Sequence, residues 1–362
     1  MKKMIAGVAA ALLAAALALP CNAISAGSAI LQDAQTGRVL YEKSADRQSL
    51  IASTTKIMTA LVICEQTNVL DRVRIPQEAV GIEGSSMYLK AGEVLTVQDL
   101  LYGLMLHSGN DAAVALAIYC GGTVEGFAEL MNDKAQRLGM KNTHFVNPNG
   151  LDHPEHYSTA RDMAILASYA MENPIFAKTV STKTVKVGER YLHNHNKLLW
   201  TLEGADGVKT GFTKAAGRIL VSSCTRQGRR LICVTMNDRD DWNDHKTLME
   251  QGFADFSVQQ IVSSGECLRT LPVISGEAES VEILAKEDFS YALSPEEKPQ
   301  IILSKPDFVY APVVQGQHAG FAYVCLKGKT VGKIPLVYGQ TIEQKTVKEP
   351  SFWEKLWRGG RT

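Results

Sequence analysis

Apolar and polar positions change their spacing several times along the chain, and each change predicts a different element. "SAILQDAQTGRVLYEKSAD" (28–46) alternates around Gln35-Thr36-Gly37 and predicts two strands joined by a turn. "IASTTKIMTAL" (51–61) then shifts to helical spacing, with Ile57, Leu61 and Cys64 on one face and Met58 and Val62 beside it. Thr96 with Asp99 three positions later reads as a capping box ahead of "LLYGLML". That helix stops at His107-Ser108-Gly109-Asn110, and Asp111 opens the next, "AAVALAIYC". "VEGFAELMNDKAQRLGM" follows as a helix ending at Gly139. Residues 145–160, rich in Asn, Pro, Gly and His, predict a loop. From Gly204 the spacing returns to strands in "GVKTGF", "RILVSSC" and "RRLICVTMN", with Gln227-Gly228 as a hairpin turn. "DHKTLMEQGFADFSV" closes the segment as a helix. Strands at both ends around a helical middle predict an α/β (α+β) domain with a largely antiparallel sheet over 24–262.

Past about residue 263 the texture is all short strands broken by Gly and Pro, which predicts a small all-β domain over 263–345. The two ends differ again. Residues 1–23 have a basic start, a short Ala/Leu run and a small-residue cleavage site, and read as an export signal. The run is too short for a comfortable membrane span. In "SFWEKLWRGGRT", Phe352, Trp353, Leu356 and Trp357 share one helical face, while Glu354, Lys355 and Arg358 face away. That amphipathic segment (346–362) predicts anchoring at a membrane surface.

Charge is balanced at 38 basic and 38 acidic residues, so no nucleic-acid footprint is present. Of seven cysteines, Cys21 lies in the leader. An even six then permit disulfides in an exported protein, yet Cys64, Cys120, Cys224 and Cys233 sit in apolar patterns as small buried hydrophobes do. Pairs of histidines occur in "HPEH" (His153, His156) and "HNHNK" (His193, His195). Neither pair has a third ligand beside it, so no metal is assigned.

Three short motifs carry candidate chemistry. Ser53 and Lys56 are three apart, hence neighbours on a helix, and a neutral lysine amine can take a serine proton when burial or a second cation lowers its pKa. Ser108-Gly109-Asn110 places a hydroxyl and an amide in a tight interhelical loop. Lys209-Thr210-Gly211 lies on a strand, where the glycine permits close backbone approach by a ligand. Each is an ordinary feature by itself. In the order SxxK, SxN, KTG they form the signature of active-site-serine penicillin-recognising enzymes.

The chain resembles the D-alanyl-D-alanine carboxypeptidases, the low-molecular-mass penicillin-binding proteins, over nearly all of residues 24–345. "SSMYLKAGE" (85–93), "FVNPNGLDHPEHYSTARDMA" (145–164) and "KTGFTKAAGRILVSS" (209–223) share the family's look. The resemblance implies a peptidase domain, a β-domain and a C-terminal anchor at the outer face of the cytoplasmic membrane. It implies that Ser53 attacks the penultimate D-alanine carbonyl of a peptidoglycan stem pentapeptide, with Lys56 taking its proton. Ser108 and Lys209 then relay a proton to the leaving D-alanine, and Asn110 holds the acyl amide and Lys56. Thr210, with the charge of Lys209, binds the terminal carboxylate. The N–H groups of Ser53 and Phe212 meet the oxyanion, and Gly211 completes the strand along which substrate lies. β-Lactams are implied as covalent inhibitors, and no metal or organic cofactor is required. One departure stands out: where the family often has an arginine before the KTG strand, this chain has His195. A class A β-lactamase would need a deacylating glutamate, and "NPNGLDHPEHYS" has no such pattern. A transpeptidase or endopeptidase with the same acyl-enzyme, or a non-catalytic β-lactam sensor, shares these motifs.

Overall fold

The computed structural model describes residues 24–346. The export signal and most of the anchor segment therefore lie outside the described residues. The chain divides into two compact units after Ala254.

In the first unit a five-stranded sheet runs in the order Val39–Lys43, Ser28–Asp33, Arg229–Met236, Gly217–Arg226, Ala205–Thr213. Every pairing in it is antiparallel. Strand side chains alternate between faces, and here both faces are apolar. Ile30, Val221, Ile232 and Val234 face a core shared with the helices, whereas Ala29, Leu31, Leu220 and Cys233 face Leu248 and Met249 of the helix Asp241–Asp255. Burial on both sides explains why "RILVSSC" and "RRLICVTM" read as nearly unbroken apolar runs.

The helical layer comprises Lys56–Gln66, Val97–Leu106, Asn110–Gly121, Val124–Leu138, Ala160–Ala170 and Pro174–Ser181. The first of these is buried from Lys56 through Cys64, so it forms the axis of the layer rather than a surface helix. The capping box expected at Thr96 is present: its side chain accepts from Asp99 N while the Asp99 side chain accepts from Thr96 N. Several features of this unit went unread in the sequence, among them two helices and a hairpin. Ala160–Ala170 and Pro174–Ser181 are helices capped by Thr159 and Asn173, and Thr184–Val187 pairs with Arg190–His193 as a hairpin.

The second unit holds a six-stranded sheet and a separate two-stranded pair, Ser257–Val262 with Phe289–Leu293. That pair corrects the expected ends. The helix stops at Asp255, and "SV" opens the next strand, because Ser257–Val262 takes its partner from the β-unit. The division accordingly falls earlier than the expected boundary at 262/263. Cys64, Cys224 and Cys233 are buried, Cys120 and Cys325 half-buried and Cys267 exposed, all six as free thiols. Among the described residues no single helix is long and apolar enough to cross a membrane.

Candidate active site

Ser53 lies in a 3-10 turn, Ala52–Thr55, and Lys56 is the first residue of the α-helix that follows. The expectation of one continuous helix is thus corrected, and the difference matters. Residues three apart eclipse one another in a 3-10 turn, which stacks the two side chains more directly than an α-helix does. Lys56 Nζ lies 3.1 Å from Ser53 Oγ. It also donates to Asn110 Oδ1 at 2.6 Å and to the Asn149 carbonyl at 2.7 Å. The amine is fully buried, and its pKa is held well below that of a free lysine, first by burial and then by the nearby Lys209 cation; Asp111 opposes the shift.

The arithmetic of those contacts defines the pair. A neutral amine has two N–H donors and one lone pair. Asn110 Oδ1 and Asn149 O have no proton to give and must take the two donors. In the neutral state the lone pair is left for the third neighbour and the Ser53 hydroxyl can donate to Nζ, as a nucleophile does to its base, whereas an ammonium donates to all three oxygens.

Three supports fix this geometry. Asn110 opens its helix and its Nδ2 donates to the Glu83 carbonyl, while its backbone N–H donates to Ser85 O at 2.7 Å. The adjacent buried Asp111 accepts from Ser86 Oγ and from the N–H groups of Met87 and Leu89, which fastens the 83–90 loop beside the site. The loop at 145–160 docks directly on the Ser53 turn. Thr59 Oγ1 donates to Pro148 O, and a side chain at Gly150 (φ +86°) would collide with the Ala52 carbonyl. His156 is buried and accepts from Val146 N–H at Nδ1, so its Nε2–H donates to Thr55 Oγ1 at 2.7 Å. Burial first, then His144 and His153, lowers its pKa to about 4 and keeps it neutral. His156 is therefore a brace between loop and turn, and not a metal ligand. Sequence reasoning missed both this brace and the Asn149 carbonyl, because neither is signalled by a motif.

The edge strand Ala205–Thr213 supplies the facing wall. A Cβ at Gly211 would sit 3.2 Å from Ser53 N and Thr54 N. The glycine thus admits the nucleophile turn against the strand, rather than only a ligand backbone as its position suggested. A cavity of about 460 Å³ is lined by Ser53, Ser108, Thr210, Gly211 and Phe212 among others. Lys56, Asn110 and Lys209 lie beneath its floor, nearly or wholly buried. Ser108 enters from a left-handed loop position (φ +60°) between two helices. Lys209 Nζ donates to the Thr210 carbonyl at 2.9 Å, and burial lowers its pKa to about 7. His195 also lines the cavity and is partly open to it; the partial burial of its ring, reinforced by Lys209, His107 and His193, lowers its pKa to about 4, so it presents a neutral ring. Among the described residues, the one permanent cation on the lining is Arg218, bound through Nε and Nη2 to Asp241.

A buried neutral amine beside a serine, at a sheet edge with an accessible cavity, is the arrangement of a serine hydrolase working by acyl transfer. Comparison with known proteins makes the class specific. Residues 14–240 match the D-alanyl-D-alanine carboxypeptidase (peptidase S11) family, and 256–344 match the penicillin-binding protein 5 C-terminal domain. The chain is 35% identical to the D-alanyl-D-alanine carboxypeptidase DacA of Escherichia coli K12, over 89% of this chain and 84% of that one. It is 32% identical to DacF of Bacillus subtilis, over 86% and 84%. Its fold superposes on penicillin-binding protein 5 of Haemophilus influenzae with a TM-score of 0.78 at 32% identity, covering 89% of this chain and 98% of that one. The Streptomyces K15 DD-transpeptidase, solved as a serine-to-alanine mutant, aligns with a TM-score of 0.61 at 37% identity, over 64% and 98%. The chain belongs to the D-alanyl-D-alanine carboxypeptidase family.

Proposed function

We propose that the enzyme removes the terminal D-alanine from peptidoglycan stem pentapeptides through an acyl-enzyme on Ser53, and that β-lactams acylate the same oxygen. The observation that carries this is the three-way contact of Lys56, which leaves a neutral amine only the Ser53 hydroxyl to accept from. In the forward step the Ser53 proton passes to Lys56 as Oγ bonds to the penultimate carbonyl carbon. The oxyanion is received by the N–H groups of Ser53 and Phe212, a pair of fixed donors worth a few kcal/mol each. Collapse expels D-alanine, whose nitrogen takes a proton relayed through Ser108 and Lys209. Thr210 and Lys209 hold the departing carboxylate, and the peptide lies beside the edge strand as an added strand. Water then attacks the ester with Lys56 again as base.

A lactamase reading lacks its deacylating acid. Among the described residues, Asp241 is the one carboxylate on the cavity lining, and it is committed to Arg218. A transpeptidase reading is favoured by the 37% identity to the K15 enzyme. The two differ only in which nucleophile ends the cycle. We further propose that residues 1–23 direct export and that the amphipathic 346–362 segment holds the protein at the outer face of the cytoplasmic membrane.

Mass spectrometry after labelled penicillin should place one adduct on Ser53, and a model D-Ala-D-Ala peptide should release D-alanine. Labelling without release indicates a sensor; rapid penicillin hydrolysis indicates a lactamase; D-alanine release that rises with an added amine acceptor indicates a transpeptidase. Deleting 349–362 should move the protein to the soluble fraction with activity kept. Continued pelleting with membranes would remove the anchor.

A further inference from the structure

Residues 191–198 alternate between exposed and buried with period two, and the pattern continues past the end of the hairpin strand Arg190–His193. Leu192, Asn194, Asn196 and Leu198 are buried. Tyr191, His193, His195 and Lys197 form the exposed row between them. Buried amides hold the row rigid. Asn194 Nδ2 donates to the carbonyls of Val180 and Thr182, Asn196 Nδ2 donates to Gly207 O, and His195 N–H donates to Leu106 O.

The row passes through the catalytic cavity, because His195 is part of its lining. On one side Lys197 lies 6.0 Å from the ring of Trp242, another lining residue. On the other, His193 stacks on Trp200 with ring centroids 4.8 Å apart and planes at 21°. Tyr191 is 80% exposed and Trp200 43%. Each is flanked by an ammonium: Lys186 stands 5.4 Å from the Tyr191 ring, its cross-strand neighbour, and Lys183 5.9 Å from the Trp200 ring.

The row reaches the cavity lining at His195, whereas Tyr191, His193 and Trp200 lie outside that lining and so beyond what the reaction itself touches. Past His193 the chain bends, with Asn196 N–H and Leu198 N–H donating to Asn194 Oδ1 and Asn196 Oδ1. Flat aromatic faces with lysines beside them, continuous with the site where the stem peptide is cleaved, complement sugar rings bearing carboxylate-rich peptides.

We propose that the Tyr191–His193–Trp200 row, with Lys183 and Lys186, is a binding track for polymeric peptidoglycan, which seats the glycan-linked part of the substrate while its peptide end occupies the cavity. The proposal rests on the stem-peptide reading of the site, and the experiment separates the two. Full-length enzyme and the variants Tyr191→Ala, Trp200→Ala and Lys186→Ser are assayed for D-alanine release from a short acylated D-Ala-D-Ala peptide and from insoluble peptidoglycan. Co-sedimentation with that polymer reads the track without catalysis. On the short peptide and in penicillin acylation the variants should match the parent within about twofold. On the polymer, Tyr191→Ala and Trp200→Ala should each lose roughly five- to thirtyfold in rate and in the pelleted fraction, the usual effect of truncating an aromatic anchor. Glycan chains stripped of peptide should compete with the polymer for the parent enzyme and less so for Trp200→Ala. Equal losses on both substrates would make the row a support for the cavity, and no loss on either would make it inert surface; both overturn the track. A parent enzyme that releases no D-alanine from the short peptide overturns the stem-peptide reading, while pelleting still judges the track.

Discussion

Asn110→Asp tests the proton bookkeeping around Lys56 most directly, since it changes one atom type and almost no volume. Asn110 Oδ1 accepts from Lys56 Nζ at 2.6 Å. A carboxylate there would face an ammonium in a site closed to water. With an effective dielectric of about 20, that contact is worth about 6 kcal/mol, or about 4 to 5 pK units. Burying the new carboxylate, and turning an oxygen toward Glu83 O where Nδ2 now donates, takes back part of this. The Lys56 pKa should still rise on balance. At neutral pH the neutral fraction of the base should then fall by about tenfold or more, and acylation with it. Stopped-flow acylation by a chromogenic β-lactam, followed from about pH 6 to 11, measures this. The variant should be nearly inactive near neutrality, recover as pH rises, and keep the parent melting temperature within a few degrees. A neutral-pH acylation rate within about threefold of the parent would refute the assignment of Lys56 as the neutral base.

Two further outcomes follow from the surroundings of the nucleophile. Gly211→Ala places a methyl 3.2 Å from Ser53 N and Thr54 N, so turn or strand must shift by a few tenths of an ångström. Penicillin acylation should slow by about ten- to a hundredfold, a fraction of the loss of an oxyanion donor, with the fold retained; an unchanged acylation rate would show that Ser53 N–H does not receive the oxyanion. His156 stays neutral in the fold with a pKa of about 4, below the ordinary 6.5. Its folded pKa is depressed, so its stabilising contribution is complete above 6.5 and is lost as pH falls from 6.5 toward 4, by about 3 kcal/mol. Urea unfolding across that window should show the loss, and His156→Gln, which keeps a donor and an acceptor, should flatten it; identical slopes in parent and variant would remove the brace. His245, buried between Ser222 and Thr235, adds a loss of the same sign that also begins at 6.5 and continues down to about 3.

What was legible in the sequence is local. Ser53, Lys56, Ser108, Asn110 and Lys209-Thr210-Gly211 sit in short motifs whose spacing is set by a single turn or strand, and the structure brings these residues to one cavity or just beneath it. Long apolar strands were legible for the same reason. The partners that make the site work were not. The Asn149 carbonyl is a backbone atom delivered from 93 positions away, and His156 lies 101 positions from Thr55. No residue type marks such contacts in advance. The hairpin Thr184–Val187/Arg190–His193 was hidden because its outer face is polar and its strands are only four residues each. The first two residues of the strand Ser257–Val262 were read as the end of the preceding helix because the strand's partner begins at Phe289, beyond the reach of any local pattern.

The two buried lysines have a consequence outside catalysis. Counted by composition, the chain carries equal numbers of basic and acidic residues. Counted in the fold, burial draws the pKa of Lys56 well below that of a free lysine and that of Lys209 to about 7, where about half of its charge is gone at neutral pH. The unfolded chain holds both protons, so folding releases protons from this pair, and a weakly buffered solution near about pH 8 should acidify as the protein refolds. The native molecule is therefore more anionic than its sequence implies, and these two side chains favour the folded state more as the solution is made alkaline.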